Sequence, residues 1–402
     1  MDEQTTFEDF DPWADGESVP LDTMADMRAR CPVPEVKYGA RYLSRYEDAD
    51  RGFIDWRHLA SRGGVRLPGA EDPAEEELIV FERDGSAHLK LRRPMRAGLL
   101  LVEDSEVETF VRSLTEARLD EAKAKGHVDL MSQLATPIPG HVILRIVGLE
   151  GGHDSDTWMH WLNQLLHGAN EHDVVEKAAY SYEGSLNDFM TAVESEIETR
   201  RSSPDAPEDW IGVLVKGQDP AETPLTQLEL RNAVVHMLVA AYETTAQLIG
   251  NLLYRVLADP AIFAALRTDP SLVPVAVEES LRMDPPATAM FRTVVEPTEF
   301  SGETLEPGAK VALGIASANR DADVFPDPDT FRLDRPNSDR HLSFGRGRHL
   351  CIGNDLARLE ARVVLTTFLE RAGDVALAPG YVYRKTPPFF AAGPQTLDVV
   401  FS

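Results

Sequence analysis

Residues 344–353 read Phe-Gly-Arg-Gly-Arg-His-Leu-Cys-Ile-Gly, FGRGRHLCIG in one-letter code. Gly345 and Gly347 open backbone conformations closed to other residues and let the chain pass close to something flat or bulky. Cys351 follows at the entrance of a helix predicted over 354–371, whose N-terminal dipole and free amides favour a thiolate. It is one of only two cysteines, with Cys31. Three chemistries are open to a lone thiolate in a shaped loop. It can be a nucleophile, with His349 as the nearby base. It can bind zinc, which needs three more donors, and no second Cys or His-x-x-x-His pattern is close. It can be the axial ligand of haem iron, whose porphyrin supplies the other four donors. The alternative to all three is a buried structural Cys with incidental glycines.

Outward from this loop the patterns are mostly helical. The helix after Cys351 stops before Gly373. Before the loop lies a Pro- and Asp-rich irregular stretch, 321–340, preceded over 291–318 by short β-like pieces with turns at Ser301-Gly302 and Pro307-Gly308. A helix is predicted from Pro274 to just before Pro285, and a long one from after Pro224 to about Leu257, roughly 50 Å in length. Others are predicted near 105–125 and 180–201. The fold class is therefore mainly α with a small β component. Residues 1–30 read as an acidic, partly flexible N-terminal segment and 31–402 as one domain.

The chain has 402 residues and a formal net charge of −27. That balance argues against nucleic acid and anionic membrane as general partners. The N-terminus is acidic with no apolar core, so no signal peptide is expected there. The one long apolar stretch, Val234–Leu253, is interrupted by Glu243 and its polar neighbours. Two cysteines in so long a chain point to a reducing, cytoplasmic setting.

Residues 238–246, LVAAYETTA, place a glutamate and two threonines at the centre of that apolar helix. Thr is a poor mid-helix residue, and a buried carboxylate is costly unless something nearby needs it. Two readings stand side by side. Either Glu243 and Thr244 handle protons inside an apolar pocket, or Glu243 turns outward and Thr244 bonds back to the carbonyl of Ala240.

FGRGRHLCIG resembles the haem-binding loop of the cytochrome P450 family, F-x-x-G-x-x-x-C-x-G. Three further motifs of that family follow the same order along the chain. Glu279-Ser280-Leu281-Arg282 is similar to its E-x-x-R helix, with Arg335 in FRLDRP as the partner the resemblance implies. His88-Leu89-Lys90-Leu91-Arg92 resembles its H-x-x-x-R. Ala240-Ala241-Tyr242-Glu243-Thr244-Thr245 resembles its oxygen-side helix motif, A-G-x-[DE]-T-[TS], with Ala241 at the usual Gly position. The likeness runs from about residue 80 to the C-terminus.

The resemblance implies a cytochrome P450 fold of the soluble bacterial type, built around haem b, iron protoporphyrin IX. It implies Cys351 as the iron ligand and His88, Arg92, Arg292 and His349 as partners of the two propionates. Ala240, Phe344 and Gly353 are expected against the cofactor. Glu279, Arg282 and Arg335 are expected to be structural, and Glu243 and Thr244 to deliver protons. The implied activity is a haem-thiolate monooxygenase that inserts one atom of O2 into a small or medium-sized, largely apolar organic molecule. With no reductase module in the sequence, electrons are expected from a separate ferredoxin or flavodoxin with an NAD(P)H-dependent reductase. The alternatives are a family member performing peroxygenation or oxidative coupling, and a non-catalytic haem-binding protein.

Thr288, Ala289, Phe389 and Phe390 line up with the family's pocket walls. His236 lies eight residues before Thr244 with Ala240 midway, so the three share one helix face. On that face His236 is a candidate hydrogen-bond anchor for substrate. Lys90, Arg92, Arg93 and Arg96, with Arg340, Arg346, Arg348, Arg358 and Arg362, form two basic clusters in an acidic chain. In the family fold both lie on the cysteine side of the haem, where they would steer an acidic electron donor.

Overall fold

The computed structural model describes residues 7–13, 18–63, 74–149, 155–170, 186–203, 208–217, 224–386 and 390–402. Its axis is the helix Gln227–Ala258, 32 residues long. Thr226 and Glu229 start it with reciprocal bonds: each backbone N–H donates to the other's side-chain oxygen, at 2.8 and 3.1 Å. Asp259 ends it and caps the next helix, Pro260–Thr268.

Two cores form along this helix. The C-terminal half packs Leu248, Ile249, Leu252, Leu253 and Val256 among the helices Asp104–Lys125, Pro137–Val147, Val273–Met283 and Asn354–Arg371. The N-terminal half packs Val234, Leu238 and Tyr242 against Trp158, Phe189 and Trp210. Between them, positions 239, 240, 241 and 244 stay partly accessible while their neighbours 242, 243 and 245 are buried. An opening therefore lies beside the middle of the helix, where the sequence places its polar residues.

The helices predicted near 105–125, 224–257, 274–285 and 354–371 are all present, and that near 180–201 is Leu186–Ser202, with residues 180–185 outside the described ones. Pro137–Val147, PIPGHVILRIV, was not legible as a helix, because Pro, Gly and β-branched residues all argue against one. Tertiary packing overrides that preference. Gly140 lets the helix approach so closely that a Cβ there would lie 2.5 Å from Met159 and 3.0 Å from Tyr242.

The β component includes a five-stranded sheet in the order Glu35–Val36, Ala40–Leu43, Lys310–Leu313, Met290–Val294, Leu59–Ala60. In Met290–Val294 the strand alternation puts Phe291 and Arg292 on opposite faces. Phe291 and Ala289 share an aromatic cluster with Phe7, Trp13 and Tyr42, and Trp13 stacks on Phe291 at 4.2 Å. The acidic N-terminal stretch thus carries apolar side chains that cover one face of the sheet, followed by the helix Leu21–Arg30. Among the described residues no single helix is long and apolar enough to cross a membrane.

Candidate active site

The cysteine loop is built as its glycines require. Gly345 and Gly347 take φ of +65° and +68°, and a Cβ on either would crowd Phe53 or Ile54 at 3.2–3.3 Å. The Cys351 N–H donates to the Phe344 carbonyl at 2.9 Å, which folds the loop back on itself. Asn354 Nδ2 donates to the Cys351 carbonyl at 2.9 Å. Arg358, held by Glu278 at 2.7 Å, stacks over the Phe344 ring at 4.5 Å.

Burial pushes the Cys351 thiol up, against the Gly353 amide, Arg92 and Arg358, which favour the thiolate. Desolvation is the largest of these influences and opposes the thiolate that the helix N-terminus favours. Cys351 remains an exposed residue, so a metal ion could reach the sulfur, where the metal's charge would favour the thiolate.

A buried clamp positions the loop from behind. The Glu279 carboxylate accepts two bonds from Arg282 at 2.8 Å, one bifurcated bond from Arg335 Nε at 2.9 and 3.0 Å, and one from the Arg332 amide at 3.1 Å. Arg282 also donates to the carbonyls of Asn319 and Pro328, and Arg335 to those of Pro326, Asp327 and Thr330. The irregular stretch after Asn319 is thereby tied to the helix Val273–Met283. Asn319 completes the link: its Oδ1 accepts from the Leu342 amide at 2.7 Å, and its Nδ2 donates to Ser343 Oγ at 3.0 Å. The sequence reading found Glu279, Arg282 and Arg335 but missed Asn319, whose role depends on a contact no local pattern encodes.

Four nitrogen-bearing side chains, Arg92, His88, His349 and Arg292, gather beside the cysteine loop. Arg92 donates to the Leu350 carbonyl at 2.5 Å, and its charge favours the Cys351 thiolate. The rings of His88 and His349 lie 4.2 Å apart. Burial lowers the pKa of both, that of His88 to about 4. His349 Nε2 sits 3.3 Å from Asp84 Oδ1, and Asp84 also accepts from the amides of Ser61 and Arg62. Asp84, another residue missed in the sequence, thereby fixes the ring of His349. His88 Nε2 and His349 Nδ1 are buried with no hydrogen-bond partner among the described residues, and buried Arg292 donates to the neighbouring Phe291 carbonyl. Imidazole nitrogens and two guanidinium groups gathered beside a cysteine loop are what a thiolate-bound haem with two carboxylate arms would use. The donor set fits that group.

On the opposite wall, Thr244 Oγ donates to the Ala240 carbonyl at 2.7 Å, the back-bond weighed above as the structural alternative. The hydroxyl oxygen keeps its lone pairs, and the residue is partly accessible beside the opening. Glu243 does not turn outward. It is buried, its carboxylate has no hydrogen bond or ion pair among the described residues, and burial pushes its pKa up to about 7. The neighbouring Tyr242 hydroxyl donates to Asn163 Oδ1 at 2.6 Å.

The expected wall residues divide. His236 shares the accessible face with Ala240 and Thr244 and lies 5.1 Å from the Phe81 ring. Thr288 is half-buried just before the strand that carries Arg292. Ala289 sits in the aromatic cluster with Trp13 and Phe291, away from the face of Arg292, and Phe390 packs at the margin of the same cluster. Phe389 lies outside the described residues.

Comparison with known proteins agrees with this geometry. The Cytochrome P450 family model matches residues 170–372. The vitamin D(3) 25-hydroxylase of Pseudonocardia autotrophica is 32% identical over 86% of this chain and 84% of its own length. The steroid C26-monooxygenase of Mycobacterium tuberculosis is 32% identical over 94% of this chain and 98% of its own. Among solved structures, cytochrome P450 CYP109Q5 from Chondromyces apiculatus superposes with a TM-score of 0.83 at 29% identity, covering 95% of both chains. With the cysteine loop, its clamp and the ring of donors in place, the chain belongs to the cytochrome P450 family.

Proposed function

We propose that this monooxygenase holds haem b on Cys351, with His88, Arg92, Arg292 and His349 meeting its two propionates. Ala240 from the long helix and Phe344 and Gly353 from the cysteine loop would line the cofactor. When bound, the haem would supply the chemistry that activates O2. The observation that carries this reading is the pair of buried, partnerless imidazole nitrogens, His88 Nε2 and His349 Nδ1, beside Arg92 and Arg292. The overall reaction is R–H plus O2, two electrons and two protons, giving R–OH and water.

The chain's own residues govern the protons and the substrate. Glu243, poised near neutrality inside the protein, takes protons up and releases them to the pocket. Thr244, with its hydrogen committed to Ala240, offers an oxygen that accepts a hydrogen bond from water in the pocket and holds that water in line. The partly accessible surfaces of Val239, Ala240 and Ala241 make the pocket largely apolar. An apolar substrate of small or medium size fits it, in keeping with relatives named for vitamin D and steroids.

Electrons would come from a separate ferredoxin or flavodoxin docking on the cysteine side, in the cytoplasm. The basic clusters there are weaker than their sequence suggests. Lys90 pairs with Glu229, Arg346 with Asp50, Arg358 with Glu278 and Arg362 with Glu108. Arg348 stacks on exposed Trp56 at 3.7 Å, and Arg96 is exposed. These two, with exposed Leu89 and Leu350, are the better candidates for a docking contact.

Turnover under isotopically labelled O2, with NAD(P)H, a ferredoxin and its reductase, tests the reading. One labelled oxygen in the product for each NAD(P)H consumed is expected. An unlabelled product, or one formed equally well without O2, would contradict it.

A further inference from the structure

His236, Ala240 and Thr244 succeed one another at four-residue steps on the accessible face of the long helix. His236 is flanked by buried Val235 and Met237, yet is itself partly accessible, so it borders open space. Its ring lies against Phe81, at 5.1 Å and an interplanar angle of 57°, in the short turn Val80–Glu82. Among the described residues its ring nitrogens make no hydrogen bond, and neither is among the atoms sealed away from solvent. Burial alone depresses its pKa, to about 4, so the imidazole is neutral at pH 7 and can both donate and accept.

The described cations near His236 in the sequence, or near Phe81 beside it, are committed elsewhere. Arg83 bonds Glu229 at 2.7 Å and the Leu78 carbonyl at 2.8 Å, and its Nη2 is buried away from solvent. Lys90 bonds the other oxygen of Glu229 at 2.8 Å, and Arg231 bonds Glu194 at 3.0 Å. A carboxylate brought to His236 would meet no free counter-charge among the described residues, at a high desolvation cost. A hydroxyl or ketone would not. Along the helix axis, eight residues separate His236 from Thr244 by about 12 Å.

We propose that His236 and Thr244 mark the two ends of a ruler: His236 hydrogen-bonds a neutral hydroxyl or ketone at one end of an elongate apolar substrate, and oxidation falls on carbon about 12 Å away, beside Thr244. This rests on the reading that the substrate lies between the long helix and a haem on Cys351. It narrows that reading to molecules with one neutral polar end and an apolar body long enough to span the helix face. His236 is a positioning residue for specificity, since a site built to bond one group leaves its own donor unpaired when that group is missing.

The test titrates the ferric haem protein with three ligands on one rigid polycyclic skeleton: a sterol with a 3-hydroxyl group, its 3-ketone and its 3-deoxy analogue. The spin-state change of the haem reads binding. A series of 1-alkanols and the matching alkanoic acids, turned over and analysed for product position, reads the ruler. Hydroxyl and ketone forms are expected to bind about tenfold more tightly than the deoxy form, the worth of about one hydrogen bond. Alkanols should be preferred to acids, with the oxidised carbon at a fixed count from the hydroxyl as the chain lengthens. His236→Phe should erase the tenfold preference and scatter the products, and His236→Asn should restore part of both. Equal binding of all three sterols by the wild type, tighter binding of acids, or a position counted from the methyl end would overturn the ruler. The reduced CO spectrum separates the two failures: a thiolate-type spectrum with equal affinities sinks only the ruler, whereas no such spectrum sinks the haem reading beneath it.

Discussion

Glu279 and Glu243 lie on two helices that pack against each other, at 0% and 8% exposure, and the protein treats their carboxylates in opposite ways. Glu279 is gripped by Arg282, Arg335 and a backbone amide, so every direction around it is filled by a donor. Glu243 meets no donor among the described residues, and burial pushes its pKa up to about 7. The first arrangement fixes a charge and, through it, the irregular chain that leads to Cys351. The second leaves a carboxyl free to gain and lose a proton near neutral pH. Glu279 is paired because its charge holds the fold, whereas Glu243 is left unpaired between the partly accessible residues Ala241 and Thr244, where a proton can be exchanged with the opening.

The largest effect should come from breaking the paired site. Glu279→Gln leaves two buried guanidinium groups without their counter-charge, at a cost of about 3–5 kcal/mol. Denaturant unfolding and haem retention should show a protein that folds poorly and loses its cofactor. Near-normal stability would mean that the clamp is not what holds the cysteine loop.

Glu243→Gln should behave in the opposite sense. The folded pKa of Glu243 lies above its unfolded value, so its contribution to stability is fully present below about pH 4.5 and is lost as pH rises to about 7. The loss amounts to about 3 kcal/mol at most. Glu360, buried with its pKa pushed up to about 8, has the same sign, so the Glu243 share is the difference between wild type and variant. Unfolding measured from pH 5 to 8 should fall less steeply in Glu243→Gln than in the wild type, while turnover at pH 7 drops. Parallel pH curves would mean that Glu243 has found a partner in solution.

Thr244→Ala should change stability least, because it removes one hydroxyl bonded to its own helix. Its effect belongs to coupling: NAD(P)H consumption continues while a larger share of the electrons ends in hydrogen peroxide. Product yield per NAD(P)H equal to the wild type would remove Thr244 from the proton path.

These differences also explain what the sequence could disclose. Cys351 with its glycines, and Glu279 with Arg282 three residues on, are local patterns whose chemistry is legible wherever they occur. Arg335 was reachable because only one arginine in the following stretch fits the family's arrangement. Asp84 was not, since its partner His349 lies 265 positions away. Asn319 was not, since it works through Leu342 and Ser343 on another turn of chain. Ala289 aligned with a wall position, but it shares a cluster with Phe291 and Trp13, a contact invisible until the N-terminal segment is placed. The basic clusters were legible as composition and misleading as charge, because Glu229 and Glu278 neutralise part of them from other helices.

The central claim is that Cys351 carries the haem iron, and the absorption spectrum of the reduced protein under CO tests it most directly. The wild type should show the strongly red-shifted Soret band of a thiolate-ligated haem. Cys351→His should lose that band, even in preparations that still bind haem. A wild-type protein without the shifted band, or a Cys351→His variant that retains it, would contradict the account.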